Sequence, residues 1–178
     1  MVSVDGVKRK ICLIGDWGVG KTSLIKKFVL DQFDDTYLAT FGSKVYKKRL
    51  IFNDNQSNIT NLNLMIWDVM GQPEFKQMRM IAYSGAQGAL VVCDITRKQS
   101  LFNLAYWQGE LYGMVKDIPI IILANKHDLQ DQAEFNMDEL KKVSQQLKAH
   151  CLFTSAKTGE NVETAFRTLG SKLILNSF

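Results

Sequence analysis

The chain has 178 residues, of which 46% are hydrophobic and 22% charged, with a net charge of +4 and 2 prolines. This profile excludes a wholly disordered, collagen-like or low-complexity polypeptide and predicts one globular domain over residues 1–178. The longest apolar run, 118–124, is too short to span a bilayer, and the basic start of the chain lacks the apolar core of a signal peptide, so a cytoplasmic protein is expected.

In chain order, a strand is predicted over 10–14 and a helix over 21–32. Strands over 45–52 and 59–67 follow, with only the polar residues 53–58 between them, which predicts an antiparallel hairpin. Next come a helix over 73–83, a strand over 89–94, a helix over 100–115, a strand over 118–124, a helix over 137–149, a strand over 151–154 and a helix over 161–175. The runs 88–94 and 118–124 are apolar throughout, as in strands covered on both faces. The alternation implies an α/β sandwich around a mostly parallel sheet. Cys12, Cys93 and Cys151 each lie in or beside an apolar run and read as reduced core residues. The basic stretches Lys44, Lys47, Lys48, Arg49 and Lys141, Lys142 read as solvated faces, and no nucleic-acid partner is expected.

The first strand leads into Gly15-Asp16-Trp17-Gly18-Val19-Gly20-Lys21-Thr22. Gly, four residues, Gly, Lys and Ser/Thr between a strand and a helix is the spacing of a phosphate-binding loop. Its glycines let successive N–H groups turn inward around anionic oxygens, and the helix points its positive end at them. Lys21 neutralises β/γ oxygens, and the Thr22 hydroxyl is suited to Mg²⁺. The base is specified further along. Asn125-Lys126-His127-Asp128 follows the strand 118–124, at the sheet edge where such folds bind ligands. A carboxylate at Asp128 pairs with the N1–H and 2-amino group of guanine, which adenine does not offer. Ser155-Ala156-Lys157 follows the last strand and offers a backbone N–H to the guanine O6.

With these elements in this order the chain resembles a small GTPase of the Ras superfamily, most closely its Rab branch. The resemblance covers essentially the whole chain and rests on residues 15–23, 67–75, 83–86, 125–129 and 155–162. It implies a P-loop NTPase three-layer sandwich: a six-stranded sheet with the second strand antiparallel, and five helices. It also implies a switch that binds GTP or GDP with Mg²⁺ and hydrolyses GTP slowly, on the order of 10⁻⁴ s⁻¹ without a partner's arginine.

By the same resemblance, Gly15, Gly18, Val19, Gly20, Lys21, Thr22 and Ser23 hold phosphates, Phe33 and Tyr37 flank the nucleotide, and Asn125, Lys126, Asp128, Ser155, Ala156 and Lys157 hold the base. Thr22, Thr40 and Asp68 hold Mg²⁺. Thr40 in switch I and Gly71 in switch II meet the γ-phosphate, and Gln72 orients the attacking water, making Gln72, Lys21 and Thr40 the catalytic set. Arg79 matches no catalytic role. Effectors, an exchange factor and an activating protein are expected at the two switches, which the γ-phosphate holds and hydrolysis releases. Trp67, Phe75 and Tyr83 are candidates for an aromatic effector patch.

The chain departs from the pattern in places. Trp17 stands where a small residue is usual, Pro73 follows Gln72 in place of Glu, and Ala39 replaces a proline before Thr40. Trp17 either crowds the γ-phosphate region, slowing turnover and blocking a partner's arginine, or folds outward over switch I and is tolerated. In the first case the chain is a GTP-binding scaffold with little hydrolysis. No cysteine follows Cys151, so this chain encodes no prenylation motif, and membrane association would require a lipidated tail.

Overall fold

A computed structural model describes residues 6–33, 44–53, 59–116 and 118–175. The described strands are β1 (Val7–Ile14), β2 (Lys44–Asn53), β3 (Ile59–Asp68), β4 (Gly88–Asp94), β5 (Ile120–Asn125) and β6 (His150–Phe153). They form a six-stranded sheet in the order β2-β3-β1-β4-β5-β6, with β2 antiparallel to β3 and every other pair parallel. The helices are α1 (Lys21–Leu30), α2 (Lys76–Tyr83), α3 (Lys98–Phe102), α4 (Leu104–Tyr112), α5 (Met137–Gln146) and α6 (Val162–Leu175). Short 3-10 turns cover Pro73–Phe75 and His127–Gln132.

α3 and α4 together occupy the one helix expected over 100–115, so five helical positions are filled. They meet at Asn103 (φ −72°, ψ −9°), whose amide is drawn to Asp16 on the phosphate loop. Pro73 opens its turn at the first position, where its missing N–H would have had no helical partner, and α2 begins at Lys76.

Alternation along the central strands sorts the core into two layers. Ile11, Leu13, Leu90, Val92, Ile121 and Leu123 face α1 and α6, where the rings of Phe28 and Phe166 stack 3.9 Å apart. Cys12, Ile14, Val91, Cys93 and Ile122 face the layer built by α2, α3, α4 and α5, including Tyr83, Leu101, Leu104, Trp107 and Leu140. All three cysteines are unbridged, and burial pushes the Cys12 thiol up to about 12. With both faces covered, the carboxyl ends of β1, β3, β4, β5 and β6 and the loops that follow them make one continuous rim.

Candidate nucleotide-binding site

β1 ends at Ile14 and the chain turns at once. Gly15 (φ +140°) and Gly20 (φ +98°) lie in the region that favours glycine, and a Cβ would overlap the Val92 carbonyl at the first and the Asn125 amide at the second. α1 then starts at Lys21 with no side chain capping its first amides, so the positive end of the helix faces the loop. Lys21 runs back across this bowl. It is 7% exposed, and its Nζ donates to the carbonyls of Gly15 (2.7 Å) and Asp16 (2.6 Å). Burial draws its pKa down to about 8, against the opposing pull of Asp68 and Asp16.

Asp68, the last residue of β3, is fully buried beside Thr22. The Thr22 hydroxyl donates to Asp68 Oδ2 at 2.6 Å, while Oδ1 has no hydrogen-bond partner among the described residues. Burial raises the Asp68 pKa, opposed by the Thr22 hydroxyl and Lys21. A buried carboxylate oxygen with unused lone pairs next to a hydroxyl suits a hard, oxygen-seeking divalent cation. The residues therefore fit the Mg²⁺ that the resemblance implies.

Across the rim, Asn125 joins three segments. Its Nδ2 donates to the Val19 carbonyl (2.9 Å), and its Oδ1 accepts from the Thr154 hydroxyl (3.3 Å) and the Ala156 N–H (3.2 Å). The Ser155 hydroxyl donates to Asp128 Oδ1 at 2.5 Å. The His127 ring stacks on Phe153 at 4.6 Å and contacts Glu160, so residues 125–128 and 153–160 are fastened together. Lys126 takes the left-handed conformation (φ +68°), a strained position for a non-glycine residue, and its Nζ lies 2.6 Å from Asp94 Oδ2.

On the remaining side, Gly71 is buried against the phosphate loop, and a Cβ there would come within 2.5 Å of Asp16 C and Trp17 N. The Gln72 carbonyl accepts from Arg79 Nη1 at 2.5 Å. Arg79 is 1% exposed, and its Nε and Nη2 donate to the two oxygens of Glu110 on α4 at 2.7 and 3.0 Å. The hydroxyls of Tyr83 and Tyr106 donate to the same carboxylate. Burial alone would raise the Glu110 pKa, but the bonds from Arg79, Tyr106 and Tyr83 outweigh it and hold the group at about 2. Between this segment and α4 lies a cavity of about 350 Å³ lined by residues that include Trp17, Gly71, Pro73, Arg79 and Tyr106.

Lys21, Thr22, Asp68, Gly71, Asn125, Asp128 and Ser155 thus share one rim, with Lys157 exposed beside Ala156 and Phe33 exposed just after α1. Tyr37 and Thr40 lie outside the described residues. Tyr83 does not contribute to a surface aromatic patch: it is fully buried, with its hydroxyl on Glu110. The Trp17 ring, 54% exposed, lies over the Arg97 guanidinium at 5.3 Å, and Arg97 Nη2 donates to the Trp17 carbonyl at 2.7 Å.

Two acids that sequence reasoning passed over organise the rim. Asp16 accepts from Trp107 Nε1 (2.7 Å) and Asn103 Nδ2 (2.9 Å), bracing the phosphate loop against α4. Asp94 accepts from Thr96 and faces both Lys126 and Arg97. The signal for Asp94 was an acid closing an otherwise apolar strand. Asp16 had no such signal.

A glycine-rich loop between strand and helix, at the carboxyl rim of a mostly parallel sheet and locked to an Asn-Lys-His-Asp turn, defines a phosphate-loop nucleotide-binding protein. A model of the Ras family matches residues 10–175, and the chain belongs to that family. It is 36% identical to human Ras-related protein Rab-8B over 166 residues (93% of this chain, 78% of that protein). It is 32% identical to dog Rab-13 over 169 residues (94% and 81%) and 30% identical to human Rab-27B over 167 residues (90% and 77%). The chain is a GTP-binding, GTP-hydrolysing molecular switch. Its family implies Mg²⁺ with GTP or GDP, and regulators of exchange and hydrolysis. No helix among the described residues is long and apolar enough to cross a membrane.

Proposed function

We propose that residues 1–178 form one Rab-like GTPase domain acting in trafficking or signalling, with the rim as its site. Gly15 to Ser23 wrap the phosphates, Lys21 neutralises the β/γ oxygens, and Gly71 and Thr40 meet the γ-phosphate. Phe33 and Tyr37 flank the nucleotide. Asn125, Lys126, Asp128, Ser155, Ala156 and Lys157 hold the base: Asp128 accepts from guanine N1–H and its 2-amino group, and a backbone N–H of the 155–157 turn meets O6. Thr22, Asp68 and Thr40 hold Mg²⁺, which when bound neutralises charge on the β and γ oxygens. Gln72 orients the attacking water, and hydrolysis releases the two switches from the γ-phosphate, altering the surface offered to effectors, exchange factor and activating protein.

The observation that carries this reading is Asn125: one buried amide fastens the phosphate loop at Val19 to the base loops at Thr154 and Ala156, so phosphate and base are gripped by one rigid unit. Calorimetry with GDP, GTP and ATP in Mg²⁺ tests it, together with identification of any nucleotide that co-purifies. Guanine nucleotides should bind far more tightly than ATP; equal affinity would overturn the base assignment.

A second reading, a GTP-binding scaffold with little turnover, is favoured by Trp17. Its indole is stacked on Arg97 and also walls the cavity bordered by Gly71 and Pro73, the neighbours of Gln72. Steady-state phosphate release separates the two readings.

A further inference from the structure

The segment between β4 and α3 carries a cation that the grip on base and phosphates leaves unexplained. The Arg97 side chain reaches back across the rim to a residue 80 positions earlier, and its Nη2 donates to the Trp17 carbonyl at 2.7 Å. The backbone fixes where that side chain starts. The Arg97 N–H donates to the Asp94 carbonyl, and the Arg97 carbonyl accepts from both the N–H and the hydroxyl of Ser100 in the first turn of α3.

Neutralising Asp94 does not explain this placement. Asp94 is buried, Lys126 Nζ already lies 2.6 Å from its Oδ2, and the N–H and hydroxyl of Thr96 both donate to its Oδ1. Arg97 Nε stands 3.5 Å from Oδ2 and makes no hydrogen bond among the described residues. The short, charge-assisted contact of the guanidinium is the one to the loop carbonyl. The Trp17 ring does not explain it either. The ring centre lies 5.3 Å from the guanidinium, and the carbonyl is a backbone group that any residue at position 17 would present.

A trans peptide points its N–H opposite to its carbonyl, and the described residues include no cis bond. With the Trp17 carbonyl drawn to the guanidinium, the Gly18 N–H is turned the other way. Gly18 has φ +73°, the left-handed conformation that lets successive amides converge on an anion. Lys21 Nζ lies against the Gly15 and Asp16 carbonyls, so this first half of the loop borders the part of the bowl where Lys21 would meet the β and γ oxygens. The Arg97 charge reaches that far: it is one of the two arginines that weigh against the Lys21 ammonium. We propose, on the site assignment made above, that Arg97 is a positioning residue for phosphate binding and hydrolysis. From outside the loop it fixes the Trp17–Gly18 peptide with its N–H toward the β and γ oxygens, and it strengthens that donor by polarising the peptide. A donor aimed in advance costs no reorganisation as charge develops on those oxygens, and a cation on its carbonyl makes it a better donor. Arg97 itself touches no reacting atom.

The test starts from the full chain carrying Trp17→Gly, in which no ring is left to be released, and adds Arg97→Met or Arg97→Lys. Methionine keeps the length and loses the charge, while lysine keeps a charged donor. Calorimetry follows GMP, GDP and a non-hydrolysable GTP analogue, and single-turnover assays follow GTP hydrolysis, all in Mg²⁺. Arg97→Met should weaken GDP and the analogue by about tenfold and slow hydrolysis by a similar factor, while GMP, which has no β or γ oxygens, changes by less than about twofold. Arg97→Lys should recover most of the loss. The Gly18 amide nitrogen resonance, which responds to what the Trp17 carbonyl accepts, should move in Arg97→Met and return toward its starting position in Arg97→Lys. Unchanged GDP affinity and hydrolysis in Arg97→Met, with GDP still bound by the parent chain, overturns the proposal. So does an equal loss for all three nucleotides, which would mark a packing role through Asp94 and α3. If the wild-type chain binds no GDP, the site assignment falls and the proposal with it.

Discussion

On the base-loop side of the rim, Asn125, Thr154 and Ala156 are joined by neutral hydrogen bonds, most of them ending on backbone or on one another, with the Ser155–Asp128 and Lys126–Asp94 contacts as further, separate ties. On the switch II side, residues 71–83 are tied to α4 through one buried carboxylate that takes Arg79 and two tyrosines. Each bond on the base side contributes little by itself, and losing one leaves the others. The switch II side concentrates its hold in a charge pair, which is strong when whole and costly when halved. That division suits a protein whose base grip must persist through a cycle while one segment changes partners. It also shows where the molecule can be taken apart selectively.

The largest effect should come from halving the charge pair. Glu110→Ala or Arg79→Ala should cost about 3–5 kcal/mol, because each strands a buried charge, and replacing both residues by similarly sized apolar ones should cost much less. Chemical denaturation of the two single variants and the double variant measures the coupling; additive losses would show that the pair is not what holds α2. The same carboxylate gives an acid signature. With a folded pKa of about 2, below the roughly 4.3 of an unfolded glutamate, its contribution is complete above about pH 4.3 and fades as pH falls toward 2. The Glu110→Gln variant should lack that component of acid destabilisation.

Asn125→Ala comes next. It leaves the Val19 carbonyl and Ala156 N–H without their partner, at about 1–3 kcal/mol for each group left unsatisfied. GDP affinity should fall with stability, since both loops lose their common anchor. Unchanged GDP affinity would mean that the loops are held independently. Gly71→Ala should act more locally: the added methyl meets Asp16 and Trp17, so the segment must back away, at about 1–3 kcal/mol. Single-turnover hydrolysis should slow while GDP affinity holds, and a fall in both would place Gly71 among the GDP contacts instead.

The same two regions differ in how far they could be read from the chain. The base loops are contiguous motifs at the ends of strands, so Asn125, Asp128 and Ser155 were legible from spacing and residue type. The ion pair joins residues 31 apart on two helices, and nothing in either helix's periodicity marks Arg79 or Glu110 as buried. Tyr83 misled for the same reason: an aromatic near a surface segment looks available for a partner until the acid that takes its hydroxyl is seen. The hairpin and the alternation of strands and helices followed from apolar patterning, which senses burial directly. Side-chain pairings between distant elements leave no such trace.

Trp17 gives the smallest effect and touches both regions, since its ring leans on Arg97, whose guanidinium also faces Asp94, the partner of Lys126. A cation–π contact at a half-exposed site contributes about 0.5–1 kcal/mol, enough to favour one ring position but not to lock it. If that position walls off the space beside Gly71 and Pro73, Trp17→Gly should raise hydrolysis on the order of fivefold, the equivalent of ~1 kcal/mol in the barrier, with a larger gain when an activating protein supplies an arginine. Arg97→Ala should then move hydrolysis too, because it releases the ring without removing it, and the emission of Trp17 should shift in the same variant. Equal rates for wild type and Trp17→Gly, with and without the activating protein, would make the indole a tolerated surface residue. The switch II side would then owe nothing to the indole and keep its hold through Glu110, Arg79 and the two tyrosines.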